Sequence, residues 1–126
     1  MFKRIDHIEL IPTDFQRTLD FYTNVLEFQL KERFSVHAGP LEEIAYIALG
    51  DTVIELMRIT QAAPMPAAQF IVGYHALALE VDDMDQAVAY LQEKNIPIVW
   101  GPMDLGKSKR AEIRDPDGLT IELRQW

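Results

Sequence analysis

Two histidines and two glutamates stand out in this chain of 126 residues for their types and spacing. Glu55 follows His7 by 48 residues (55 − 7), and Glu122 follows His75 by 47 (122 − 75). Two imidazoles and two carboxylates form a ligand set for a borderline divalent metal: nickel, zinc, cobalt, manganese or iron. A lone strand histidine is ordinarily hydrogen-bonded structure, and a lone strand glutamate ordinarily faces water. Here the neighbours weigh against that. Val53, Met57 and Ile59 fall on the face of Glu55, while Leu77, Leu79 and Val81 fall on that of His75. A carboxylate among apolar side chains is costly unless protonated, paired or metal-bound. His37, in Ser-Val-His-Ala-Gly-Pro, has no counterpart and reads as surface.

The elements that must position these residues repeat along the chain. Lys3–Ile11 is predicted as a strand ended by Pro12, and Thr13 or Asp14 caps a helix with Phe15, Leu19, Tyr22, Val25 and Leu26 at helical spacing. Phe28–Val36, Glu42–Leu49 and Thr52–Ile59 follow as strands, punctuated by Gly39-Pro40 and Gly50-Asp51. Residues 61–72, with Pro64 and Pro66, read as a linker. The pattern then restarts. Gly73–Val81 is a strand carrying His75, Asp82 or Asp83 caps a second helix, and Asn95 with Pro97 stops it. Ile98–Trp100, Lys107–Arg114 and Leu119–Trp126 complete the second set. In the last strand Leu119, Ile121 and Leu123 alternate with Thr120, Glu122, Arg124 and Trp126, after a Pro116-Asp117-Gly118 turn.

The order is β-α-β-β-β twice, in modules 1–60 and 73–126 of a single domain. It predicts an α+β fold of two paired βαβββ modules forming a curved, cup-shaped mixed sheet with helices outside. Facing modules would bring His7, Glu55, His75 and Glu122 to one concavity. Half a chain of this length is marginal alone and is expected to pack on its twin.

Composition bounds the rest. A net charge of −8 and a pI near 4.7 exclude the cationic footprint of a nucleic-acid binder. No apolar run is long enough for a signal segment or a membrane span. The absence of cysteine excludes disulfides and favours a cytoplasmic setting.

The paired modules, the His7/Glu55/His75/Glu122 pattern, the Leu-Asp-Phe-Tyr of residues 19–22 and the Asp115-Pro116-Asp117-Gly118 turn with its Ile-Glu-Leu resemble the vicinal oxygen chelate superfamily. That group includes glyoxalase I, methylmalonyl-CoA epimerase, extradiol dioxygenases and the bleomycin resistance proteins. Glutamate at both ends and histidine at both starts is most similar to glyoxalase I. Glyoxalase I usually has arginine four residues past its first histidine and asparagine four past its first glutamate, to hold glutathione; here Ile11 and Ile59 stand there. The resemblance therefore implies a metal-dependent lyase or isomerase acting on a small oxygen-rich substrate without glutathione. Glu122 or Glu55 would take a proton from the carbon beside a metal-polarised carbonyl. Alternatives on the same scaffold are an epimerase, a dioxygenase, or a resistance protein that sequesters a small molecule without catalysis.

Substrate anchors are expected among Arg124, on the face of Glu122, Glu9, on the face of His7, and the run Lys107, Lys109, Arg110. That run follows residues 101–106, read as a flexible loop at the cavity mouth. Proteins of this family and size commonly pair, so a homodimer is expected.

Overall fold

The computed structural model describes all residues, 1–126. The fold is α+β, with two four-stranded mixed sheets and two α-helices. It divides into two compact units, Met1–Met65 and Pro66–Trp126, with the division inside the Pro-containing stretch.

In the first unit, strands β1 (Ile8–Leu10), β2 (Gln29–Ala38), β3 (Leu41–Leu49) and β4 (Thr52–Ile59) form a sheet in the order β1-β4-β3-β2. Helix α1 (Phe15–Asp20) begins at Asp14, whose carboxylate accepts the Arg17 amide at 3.0 Å, and it continues into a π-helical turn, Phe21–Val25. Phe15, Leu19 and Tyr22 are buried, and Tyr22 packs edge-on against Phe21 and Phe28. Together with Ile44, Ile47, Ile54 and Leu56 they form the core of this unit.

The second unit repeats the order: β5 (Ala76–Glu80), α2 (Met84–Glu93), β6 (Trp100–Asp104), β7 (Lys109–Arg114) and β8 (Thr120–Gln125), with the sheet ordered β5-β8-β7-β6. Asp83 caps α2 by accepting the Gln86 amide at 2.9 Å. Met84 and Leu91 from the helix are buried, as are Ala111, Ile113, Ile121 and Leu123 from one face of the sheet. The β7–β8 turn is tied by buried Asp115, whose carboxylate accepts the amides of Asp117 and Leu119, both at 2.9 Å. Gly118 supplies the φ of 85° this turn requires.

Several expected elements differ in their bounds, three of them by more than two residues. The first strand is Ile8–Leu10, not 3–11. Its parallel partner β4 starts at Thr52 and pairs Ile54 with Ile8, so residues upstream of Asp6 have no strand beside them. For the same reason the strand expected from Gly73 starts at Ala76: it pairs with Thr120, the first residue of β8. The strand expected at Ile98–Trp100 is instead Trp100–Asp104, β6, within the stretch read as a flexible loop. Gly101 permits this, because a Cβ there would stand 2.6 Å from the Arg110 carbonyl oxygen.

Candidate functional site

Each unit places one glutamate on its second-to-edge strand, and the two have different company. Glu55 lies in the middle of β4 between buried Ile54 and Leu56, and its own side chain is 8% exposed. Its register neighbours are Glu9 on β1 and Tyr46 on β3. His7, two residues before Glu9, falls on the same side by strand alternation. The result is a compact cluster. His7 Nε2 stands 3.0 Å from a Glu55 oxygen and 3.6 Å from a Glu9 oxygen, and the three donor atoms lie within 4.8 Å of one another.

The other ring nitrogen of His7, Nδ1, meets the Asp6 carboxylate at 2.9 Å. That contact raises the His7 pKa above its usual value, with Glu55 and Glu9 adding to the rise and burial opposing it. Asp6 is lowered in turn by the same hydrogen bond. Tyr46 sits edge-on to the imidazole with ring centroids 6.1 Å apart, and burial, then the neighbouring Glu55, pushes its phenol up.

Glu122 in β8 lies between buried Ile121 and Leu123 but faces the opposite side, beside Arg124 and Arg110. One of its oxygens accepts from Arg124 Nε at 2.8 Å and from Nη2 at 2.6 Å. Its other oxygen is 3.2 Å from Arg110 Nε, an ion pair without hydrogen-bond alignment. Arg110 also donates to Glu112 at 2.6 Å, and Arg114 approaches Glu112 at 3.6 Å. Charges therefore alternate along the face as Arg124, Glu122, Arg110, Glu112, Arg114. Trp100 stacks on the Arg110 guanidinium and Trp126 on that of Arg124. A hollow of about 270 Å³ opens beside them, lined by Ala78, Leu79, Glu80, Glu122, Arg124 and Trp126.

The remaining sequence candidates are placed as follows. His75 is exposed, precedes β5, and stacks its ring on Phe70 with centroids 5.4 Å apart. Lys107 is exposed in the turn where the Leu105 amide bonds the Ser108 carbonyl. Lys109 alternates with Arg110 and so shares the face of buried Ala111 and Ile113, away from Glu122. Arg110 is the cation of that run that reaches Glu122. Its parity with Glu112 was visible in the sequence; its register opposite Arg124 was not. Tyr46 escaped notice for a similar reason, being tied to Glu55 only by strand pairing.

A metal is testable against the first cluster. Ligand bonds of about 2.0–2.2 Å set neighbouring donor atoms roughly 3–3.5 Å apart. One imidazole nitrogen and two carboxylates at 3.0 and 3.6 Å suit a borderline divalent ion. Asp6 on Nδ1 leaves Nε2 to face the carboxylates, the outer partner a metal-binding histidine ordinarily has. The donor set fits. No helix is long and apolar enough to cross a membrane.

Comparison with known proteins adds an independent line. The profile of the Glyoxalase/Bleomycin resistance protein/Dioxygenase superfamily matches residues 4–123. An uncharacterised Escherichia coli K12 protein, YaeR, is 33% identical over 122 residues, covering 96% of this chain and 95% of that protein. A lactoylglutathione lyase of Neisseria meningitidis is 31% identical over 128 residues, covering 97% and 90%. Among solved structures, TnmS3, an antibiotic binding protein from Streptomyces sp. CB03234, superposes with a TM-score of 0.77 at 25% identity, covering 98% and 96%.

Proposed function

Because this chain belongs to the Glyoxalase/Bleomycin resistance protein/Dioxygenase superfamily, we propose that it is a metal-dependent lyase or isomerase of the glyoxalase type. Its substrate is small, oxygen-rich and not linked to glutathione. The observation that carries this reading is the convergence of His7, Glu9 and Glu55 on one spot. A divalent first-row ion bound there supplies a Lewis acid that polarises a substrate carbonyl oxygen. His7 and Glu55 hold it.

The chain's own part is proton transfer. For an α-hydroxycarbonyl, Glu55 accepts the proton from the hydroxyl-bearing carbon beside the carbonyl and returns it to the former carbonyl carbon, while the hydroxyl proton passes to the former carbonyl oxygen, so the isomerisation needs no external oxidant. The burial of its own side chain keeps water from competing for that proton. Tyr46, which stands opposite Glu55 in the β3–β4 ladder, is a positioning residue. Glu122 is the other carboxylate proposed for the transfer, and Arg124 is proposed to meet an acidic group on the substrate, with Arg110 in place of Lys107 and Lys109. A cytoplasmic homodimer is the setting this reading takes; light scattering on the purified protein tests the pairing.

A second reading has its own observation. Both oxygens of Glu122 are engaged by guanidiniums beside a Trp126-lined hollow, an arrangement suited to holding a small molecule without catalysis. The antibiotic-binding relative TnmS3 lends this weight. The test is a screen of 2-oxoaldehydes, acyl-CoA thioesters and catechols against nickel-, cobalt- and iron-loaded protein. A stoichiometric ion with metal-dependent proton exchange at the carbon beside a carbonyl supports the enzyme. Protein that takes up no ion yet binds a bulky aromatic molecule decides for sequestration.

A further inference from the structure

We propose that the ion is held by the first unit alone, through His7, Glu9 and Glu55, and that His75 is not a ligand. This rests on the metal-dependent reading above and alters its ligand set. The strand registers carry it. Glu55 pairs with Glu9, which puts His7 two residues upstream on the same side. Glu122 pairs with Ala78, so the position matching Glu9 is Ala78 and the position matching His7 is Ala76. His75 is one residue out of phase, and a one-residue shift in a strand turns a side chain to the other face.

The helix caps give the same phase independently. His7 precedes the capping Asp14 by seven residues (14 − 7), and Ala76 precedes the capping Asp83 by seven (83 − 76). His75 precedes it by eight (83 − 75). His75 is also exposed and stacked on Phe70, with no carboxylate against its ring. In the first unit, by contrast, Glu9 supplies a third donor 3.6 Å from Nε2, where the second unit has only the methyl group of Ala78. Three protein donors leave an open ion able to take a bidentate substrate.

Zinc(II) and cobalt(II) titrations followed by calorimetry and by the cobalt visible spectrum test this on the full chain, with bound metal counted by elemental analysis. His75→Ala is expected to keep the wild-type stoichiometry and an affinity within about twofold. His7→Ala should abolish binding, and Glu9→Gln should weaken it by ~10-fold or more, at least the cost of an outer-shell partner. Glu9 and His75 are both exposed, so neither substitution threatens the fold; circular dichroism confirms this for each variant. Loss of the ion in His75→Ala, or unchanged affinity in Glu9→Gln, overturns the assignment while leaving a metal-dependent enzyme standing. Wild-type protein that takes up neither ion overturns both.

Discussion

Glu55 and Glu122 hold the same place in two sheets of the same strand order, yet one meets an imidazole and a phenol and the other two guanidiniums. The difference arises in their neighbours. Across the ladder Glu55 has Tyr46 and Glu9, while Glu122 has Glu112 and Ala78. In the first unit an acidic pair beside a histidine leaves donor atoms open to a cation. In the second, two opposed glutamates are tolerated because Arg110, Arg114 and Arg124 intercalate between and beside them. A duplicated backbone thus sets where a carboxylate sits, and the adjacent strands decide what it can bind.

The largest expected effect tests whether the two units share one stability. Leu56→Ala and Ile121→Ala each remove a fully buried side chain, and each should cost about 2–5 kcal/mol in urea unfolding. A single transition shifted equally by both variants means that the units unfold together. Two transitions, each moved by one variant, would make the comparison one between independent folding units.

Next is the electrostatic contrast. Arg110→Met leaves Glu112 directly opposite Glu122 without the cation between them, at an expected cost of about 1–3 kcal/mol. Tyr46→Phe removes only the hydroxyl of the residue opposite Glu55, and at most about 0.5–1.5 kcal/mol is expected. If chemical denaturation ranks the two in reverse order, the second unit's charges are not what holds its sheet face.

The helix caps should show no contrast. Asp14→Ala and Asp83→Ala each delete one side-chain acceptor at a helix start, so each should lower stability by about 1 kcal/mol. The smallest effect is one of pH. Glu43 accepts from Arg33 and pairs with Arg58, and the Arg33 hydrogen bond lowers its carboxyl pKa. A carboxyl lowered on folding stabilises fully above its unfolded value and loses that contribution as pH falls through its folded one. Glu43→Gln should therefore flatten the acid limb of the stability profile by ~0.5–1 kcal/mol and leave neutral pH little changed beyond the lost pair. An unaltered acid limb would assign that limb to other carboxylates.

Much of this was legible in the residues. The alternation of Leu119–Trp126 put Ile121 and Leu123 on one face and Glu122 and Arg124 on the other, as found. Thr13 or Asp14 and Asp82 or Asp83 marked the helix starts, where Asp14 and Asp83 are the caps, and the bounds Thr52–Ile59 agree. The partnership of His75 with Glu122 was a different kind of reading. It rested on separations of 48 and 47 residues, and separation counts chain length, not phase. The intervening loops and bulges, such as the register shift between Trp100 and Met103, change that count freely.

What the sequence by itself determined is local: which segments alternate, where helices begin, which turn closes the last hairpin, and that the halves repeat. These depend on interactions within a few residues. Only the tertiary structure decided that Ala76 matches His7, that Arg110 and not Lys109 meets Glu122, and that Tyr46 stands opposite Glu55. Each depends on which residue of one strand hydrogen-bonds which residue of another. That register is set across dozens of intervening positions, and shifting it by one residue turns a side chain to the other side of its sheet.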